Sequence, residues 1–165
     1  MGLVKIRFQI INDIQFSRAF EFAMSRYADF TEPFGLMADD FFQTMTGVFE
    51  REGAFEGRAK WQELSPAYAR WKTQHYPGRK ILELTGRLRA SLTNKGGPDN
   101  VLQITPTMLA VGTVVPYAIR HQLGLGNLPM RKIIELTADQ KLRWVQILHK
   151  YMYDVNETVA RITRS

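Results

Sequence analysis

The chain has 165 residues, of which 45% are hydrophobic and 23% charged, so it has the composition of a globular domain and the length to bury a core. It contains no cysteine, which excludes disulfides and thiolate chemistry and fits assembly in a reducing cytoplasm. No apolar run approaches the roughly 18 residues that a membrane helix needs. We therefore expect a single domain over residues 1–165 and no membrane partner.

The charge is distributed unevenly along the chain. Residues 1–60 carry 7 Lys and Arg against 9 Asp and Glu, whereas residues 61–165 carry 15 against 7, in agreement with the formal net charge of +6. A basic half can attract nucleic acid, pair with an acidic neighbour, or simply be solvated. Composition leaves these three interpretations open.

The first part of the chain is predicted to hold a strand and two helices. Apolar residues alternating with polar ones predict a strand with one buried face: Val4, Ile6, Phe8 and Ile10. After a possible cap at Asn12-Asp13, spacings of three and four predict an amphipathic helix with the stripe Phe16, Phe20, Ala23, Tyr27 and Phe30. A second helix is predicted to begin near Thr31 to Pro33 and to stop at Gly53.

The stretch from Trp61 to Leu92 predicts two more helices joined by a turn. Ser65-Pro66 is typical of a helix start, since a hydroxyl accepts a free amide hydrogen and proline has none to leave unpaired. Pro77-Gly78 is expected to end that helix. Beyond it, apolar residues recur at helical spacing and predict a second helix: Ile81, Leu84, Leu88 and Leu92.

Thr93 to Asn100 is the clearest segment of helix breakers in the chain. Val101 to Thr105 and Met108 to Thr113 predict an antiparallel hairpin with its turn at Pro106-Thr107. Pro116 predicts a short helix that ends at Gly124. A last strand, which could pair with the first one, is predicted from Ile133, Ile134 and Leu136.

A long C-terminal helix over residues 137–162 is the best-supported element. Thr137 and Gln140 form a capping-box pattern at its start. Apolar residues then recur at spacings of three and four: Val145, Leu148, Met152, Val155, Val159 and Ile162. This narrow stripe either packs on its own domain or packs in part against another copy or a neighbouring protein. The fold class predicted from all these elements is α+β, with a small antiparallel sheet packed with several helices.

The sequence offers no reactive constellation. The three histidines, His75, His121 and His149, are far apart and lack the spacing of metal ligands, so no metal and no cofactor is expected. His121 is interpreted as a packed or capping side chain rather than a catalytic one. The acidic residues around Asp39-Asp40 and Glu56 are interpreted as solvated faces, because neighbouring helical positions point in different directions. We therefore expect no catalytic residues.

Three basic pairs are candidates for a surface that faces DNA or a partner. They lie in a turn, on a helix and at a loop–strand junction, and comprise Arg79, Lys80, Arg87, Arg89, Arg131 and Lys132. No recognition helix or zinc module accompanies them, which disfavours sequence-specific reading of DNA. Clustered positive charge suffices for non-specific attraction to phosphates.

Two blocks of the chain carry a family resemblance. The first combines Trp61, a Leu-Ser, a Tyr and a Trp-Lys with Ile-Leu-x-x-Thr-Gly-x-Leu-x-x-Ser-Leu, and the second runs from Pro116-Tyr117-Ala118 through His121 and Gly124 to Arg131. In order and spacing these blocks resemble the phage virion morphogenesis family, the tail-completion proteins of Mu-like phages. The motif positions, which we expect to be mostly structural, are Trp61, Leu64, Tyr68, Lys72, Leu82, Thr85, Gly86, Leu88, Ser91, Tyr117, His121, Gly124 and Arg131.

The resemblance implies a structural virion protein that completes the tail or joins it to the head. It further implies a ring of six copies at the head-proximal end of the tail, with tail tube, tail terminator or head connector proteins as partners and DNA passing nearby. The protein would be assembled in the host cytoplasm and reside in the virion. Two alternatives are a small basic protein that binds nucleic acid non-specifically and a phage hydrolase.

Overall fold

The structure is a computed structural model that describes residues 14–164. The strand predicted from Val4 to Ile10 and the cap at Asn12-Asp13 lie outside the described residues. Within 14–164 there are six helices and one hairpin: α1 (Ile14–Tyr27), α2 (Thr31–Glu50), α3 (Pro66–His75), α4 (Arg87–Thr93), β1 (Asn100–Thr105), β2 (Met108–Thr113), α5 (Ala118–Leu123) and α6 (Ala138–Arg164). This arrangement confirms the predicted α+β class with a long C-terminal helix.

Helix α2 is the centre of the core. Its fully buried side chains include Met45, Val48 and Phe49, which recur at the three- and four-residue spacing of one helical face. The Phe49 ring meets the Trp61 indole edge to face at 5.4 Å between ring centroids. The rest of the core is supplied from across the chain and includes Ile81, Leu88, Leu92, Val115 and Ile133. Helix α2 therefore holds the remaining elements in place.

A polar network joins α6 to α2. The Arg143 side chain donates to Asp40 Oδ1 at 2.5 Å and lies 2.9 Å from Glu56 Oε1, while Trp144 Nε1 donates to Asp40 Oδ2 at 2.8 Å. The Asp40 and Glu56 side chains are only 16% and 18% exposed. The interpretation of these two acids as solvated was therefore wrong, because a cation more than 80 residues away in the sequence covers both.

The start of α6 confirms one half of the predicted capping box. The backbone N–H of Gln140 donates to Thr137 Oγ1 at 3.1 Å, as expected for a helix cap. The Gln140 side chain is buried and donates to Asp40 Oδ2 at 3.2 Å. The glutamine of this box is therefore used to attach the helix to α2.

The stripe predicted along α6 is divided between the domain and solvent. Val155 is buried, and the Tyr151 hydroxyl lies 2.8 Å from the carbonyl oxygen of Arg26 and 2.7 Å from that of Asp29, at the junction of α1 and α2. Val145 and Met152 are exposed. Helix α6 thus packs on its own chain, and the packing of its exposed side against another protein stays a prediction.

The stripe predicted on α1 is only partly used inside the domain. Helix α1 packs against α6, and its buried residue is Ala19, whose small side chain suits a close approach of two helices. Phe20 is 53% exposed although the sequence pattern placed it on the buried stripe. The pattern identified the helix correctly, but of its stripe only Ala23, Tyr27 and Phe30 are half-buried, while Phe16 and Phe20 are exposed.

The predicted antiparallel hairpin is confirmed. Asn100 lies opposite Thr113, and Thr105 lies opposite Met108. The strand predicted over Ile133 to Leu136 is not formed, since this segment has no regular secondary structure. Side chains satisfy its main chain instead. Gln122 Oε1 accepts from the N–H groups of Ile133 and Ile134, and Trp61 Nε1 donates to the carbonyl of Lys132. Ile133 is therefore buried and its N–H is satisfied although the segment has no strand partner.

The second helix of the Trp61–Leu92 stretch is shorter than predicted. It begins only at Arg87, because Leu82 and Gly86 adopt left-handed backbone angles, with φ of 62° and 85°. Side chains from outside this turn form hydrogen bonds with its main-chain groups. Lys72 donates to the carbonyl of Lys80, and Glu52 accepts from the N–H of Ile81. Residues 79–86 therefore form a turn segment in front of α4.

The network at Asp40 should be a measurable contributor to stability. We expect Asp40→Ala to lower the free energy of unfolding by about 2 kcal/mol, because the Arg143 guanidinium and the Trp144 N–H lose their acceptor. The matched control is Asp39→Ala on the same helix, whose side chain is 60% exposed and forms a surface pair with Lys95, so the change should stay within about 0.5 kcal/mol. Urea unfolding of both variants measures the difference, and equal losses would contradict the proposed role of the network.

Candidate functional site

A cleft of about 1120 Å³ is the main concave feature on the α3 side of the domain. Its walls come from four segments: the chain entering α3, the turn segment in front of α4, helix α5, and the loop that follows α5. Most of the family-motif positions line it, namely Leu64, Tyr68, Lys72, Leu82, Thr85, Gly86, Leu88, Tyr117, His121 and Arg131. Residues chosen for their pattern along the sequence are thus brought to one place.

The first wall is the start of α3. Ser65 caps the helix by accepting the Tyr68 N–H at 3.4 Å, and Pro66 occupies the first turn, as predicted. Tyr68 and Lys72 are four residues apart and so share one helical face, which lines the cleft. Lys72 is 4% exposed, and its ammonium donates to the carbonyl of Lys80 at 2.5 Å. That bond ties α3 to the opposite wall.

The loop after α5 is held against the entry to α3 by Arg131. Its Nε donates to the carbonyl of Gln62 at 2.8 Å and one terminal nitrogen donates to that of Glu63 at 3.2 Å. Its backbone N–H donates to the carbonyl of His121 at 2.7 Å. Arg131 is 5% exposed, so it works inside the protein and not on its surface.

His121 lies between these elements. Its ring meets the Tyr117 ring edge to face, with 6.5 Å between centroids, which agrees with its interpretation as a packed side chain. Its Nδ1 is buried and has no hydrogen-bond partner among the described residues. Burial lowers the pKa of the imidazole, and the positive charge of Arg131 lowers this pKa further. The ring is therefore neutral at neutral pH.

Charge in the cleft is dominated by cations. Burial lowers the pKa of the Lys72 ammonium, while Glu83 and Glu52 raise it and Arg131 and Arg79 lower it again. Burial also lowers the pKa of the Arg131 guanidinium. Four charged groups therefore act on the Lys72 ammonium, two of each sign. Nothing in the sequence pattern singled out Glu83.

The arrangement does not supply a nucleophile with its base. The Ser65 hydroxyl is occupied as a helix cap, and Thr85 Oγ1 accepts the N–H of Arg87 at 3.3 Å. Neither hydroxyl is hydrogen-bonded to the buried Nδ1 of His121. Among residues 14–164, no three His, Asp or Glu side chains are grouped so that they could hold a metal ion.

The six basic candidates have separate roles. Arg87 makes a bidentate pair with Asp99 at 2.7 and 2.6 Å, Arg89 lies 3.5 Å from Glu83, and Lys132 lies 3.1 Å from Glu135. Lys80 donates to the carbonyl of Glu50, and Arg131 is buried as described above. Arg79 is exposed, and within the described part of the chain its side chain makes no hydrogen bond or ion pair. Most of these charges are therefore balanced or engaged within the domain.

Three motif positions lie away from the cleft and are structural. Trp61 is buried against α2, and its indole N–H donates to the carbonyl of Lys132 at 2.8 Å. The Ser91 hydroxyl lies 2.7 Å from Thr113 Oγ1 and joins α4 to the hairpin. Gly124 ends α5 in a left-handed conformation with φ of 65°. The expectation of fold-forming roles fits all three.

The sequence profile of the phage virion morphogenesis family matches residues 11–153, which is most of the chain. The chain belongs to this family. The match includes α1 and α2, in which the sequence analysis found no motif of this family, and it ends within α6. Members of such a family build the phage particle, so a virion structural or assembly role follows. No curated protein and no solved structure gives a significant match. No helix within residues 14–164 is long and apolar enough to cross a membrane.

Alanine substitutions at Gly124, which ends α5, and at Gly126 in the loop that follows can distinguish the cost of a steric clash from the cost of a left-handed backbone. A Cβ on Gly124 would lie 2.9 Å from the Met130 nitrogen and 3.1 Å from its Cα, whereas a Cβ on Gly126 would meet nothing within 4 Å. Both residues have positive φ, at 65° and 71°. We expect Gly126→Ala to cost about 1 kcal/mol and Gly124→Ala at least about 2 kcal/mol of unfolding free energy. Equal losses of unfolding free energy for the two variants in urea would show that the loop shifts to accommodate a Cβ at Gly124.

Proposed function

We propose that this protein completes the phage tail or joins it to the head, as a subunit of a ring of about six copies at the head-proximal end of the tail. The observation that carries this proposal is the family match over residues 11–153. The work would be done by surfaces that bind other copies and neighbouring virion proteins. Tail tube, tail terminator and head connector proteins are the proposed partners.

The exposed apolar surface supports an assembly role. A closed ring needs two different patches on each subunit, because each copy contacts its two neighbours through different faces. On α1, Phe20 and Met24 are four residues apart on one face and are 53% and 55% exposed. On α6, Val145 and Met152 are exposed along a second helix. Exposed apolar faces of this kind mark sites of protein contact.

The interior arrangement supports a structural protein rather than an enzyme. The cleft contains ionisable groups, but its Ser65 and Thr85 hydroxyls are engaged in a cap and a turn, and its buried lysine is bonded to a carbonyl oxygen. A hydrolase would need a nucleophile or a bound water held next to a base. The histidine of the cleft meets no such partner among the described residues.

Nucleic acid is proposed only as a neighbour of this ring. Non-specific binding to DNA needs cations that are free to approach phosphates. Five of the six candidate cations are engaged within the domain, and only Arg79 is exposed without a described side-chain contact. A dedicated nucleic-acid-binding function therefore has less support than assembly.

Mass measurement tests the ring directly. We expect the purified chain to assemble into a closed oligomer of about six subunits, either alone or on addition of purified tail tubes. Native mass spectrometry and light scattering report the copy number. A chain that remains a monomer under both conditions, or that instead binds duplex DNA tightly with steep salt dependence, would contradict the proposal.

The exposed face of α1 gives a residue-level test. We expect Met24→Ser to shift the oligomer toward monomer at a given concentration, because a contact surface loses an apolar side chain, while the unfolding free energy changes by less than about 0.5 kcal/mol. Leu36→Ser is the matched control, since Leu36 on α2 is similarly exposed at 53%. Sedimentation velocity measures the oligomeric state of both variants. An equal effect of the two substitutions would contradict a contact through this face of α1.

A further inference from the structure

The cleft holds two buried cations that form no ion pair among the described residues. Lys72 and Arg131 are 4% and 5% exposed, and their hydrogen-bond acceptors are main-chain carbonyl oxygens. Within residues 14–164 neither side chain has a carboxylate oxygen within the 4.0 Å of an ion pair. Lysine and arginine are almost never this deeply buried unless paired. Both side chains therefore rest on neutral acceptors.

The carboxylates that act on these two cations are Glu83 and Glu52 for Lys72 and Glu63 for Arg131, and each has its ion pair with another residue. Glu83 is 5% exposed and forms its ion pair with Arg89 at 3.5 Å. Glu52 accepts the N–H of Ile81 at 2.8 Å and lies 4.0 Å from the Lys60 ammonium. Glu52 and Glu63 share the one ammonium of Lys60, so these carboxylates offset the positive charge of Lys72 and Arg131 in part but do not cancel it. The cleft thus has a net attraction for a negative group.

The rest of the lining indicates the form in which the anion arrives. Leu64, Leu82, Leu128 and Pro129 supply apolar walls, and Tyr68 contributes an aromatic face at the rim. A volume of about 1120 Å³ is slightly above the roughly 300–1,000 Å³ of small-molecule sites. A free phosphate would leave the apolar walls bare, and a duplex could not bring its backbone to side chains buried this deeply. A peptide offers both a carboxylate and apolar side chains.

We propose that this cleft binds an extended segment of a partner protein, whose carboxylate lies against Lys72 and Arg131 and whose flanking apolar side chains fill the leucine-lined walls. The carboxylate belongs to an Asp or Glu side chain or to a chain terminus. His121 Nδ1, buried and without a described partner, takes one hydrogen bond from or to the same segment. The proposal rests on the proposed function only for the source of the partner, which would be a neighbouring virion protein.

The binding chemistry can be tested without any phage assembly. The probe is an acetylated and amidated synthetic peptide of alternating leucine and aspartate, added to the 15N-labelled full chain and followed by NMR. The matched control peptide carries asparagine in place of aspartate. We expect saturable shifts confined to amides lining the cleft, with at least about tenfold weaker binding of the asparagine peptide, because a buried cation loses its counter-charge.

Variants of the chain locate the site. Lys72→Met should weaken the aspartate peptide by at least about tenfold, whereas the same exchange at Lys150, exposed on α6, should leave binding unchanged. Because Lys72→Met also removes the bond to the Lys80 carbonyl, a second variant keeps the test independent of folding. Asn127 lies on the cleft rim and is exposed, so Asn127→Trp should block the cleft while the unfolding free energy is retained.

Several outcomes would overturn the proposal. Equal binding of the aspartate and asparagine peptides would remove the role of the cations, and equal competition by inorganic phosphate would make this a simple anion site. Saturable shifts of the cleft amides by a DNA duplex would assign the site to nucleic acid. Loss of self-association in Asn127→Trp would make the occupant a second copy of this chain. A failed ring with intact peptide binding would contradict the proposed function alone.

Discussion

The bonds of the Arg131 guanidinium to the carbonyl oxygens of Gln62 and Glu63 are the interaction on which the cleft depends. They hold the loop after α5 against the entry to α3, and the backbone N–H of Arg131 adds a bond to α5. The guanidinium is well suited to this because its several donors lie in a fixed fork. Neutral acceptors balance its hydrogen bonds but leave its charge. Architecture and binding chemistry therefore originate from one side chain.

Local chemistry accounts for the parts of the fold that the sequence predicted. Ser65-Pro66 and Thr137 begin helices because their hydroxyls accept amide hydrogens of the first turn, which needs no distant partner. The hairpin from Asn100 to Thr113 is likewise set by alternation and a short turn. Patterns with a period of two or of three to four residues record such local preferences well.

The parts that escaped prediction depend on partners far away in the sequence. The segment after Met130 has the apolar composition of a strand, yet Arg58, 75 residues earlier, donates to the carbonyl of Ile133, and Gln122 takes two of its amides. Asp40 likewise meets Arg143 across a separation of 103 residues. No spacing within a short window carries this information. The cleft could not be predicted from the sequence for the same reason, although most of its lining residues had been named individually.

Burying Lys72 and Arg131 without an ion pair costs folding free energy, and this cost bears on how the site would work. Burial disfavours the charged forms of Lys72 and Arg131, which the lowered pKa of each side chain reflects. Their burial without an ion pair therefore costs the free protein stability. A partner carboxylate would relieve that penalty on entering the cleft, so binding and folding stability would be linked. In a protein that acts through its surfaces, this linkage favours the form that is attached to its neighbour over the free form.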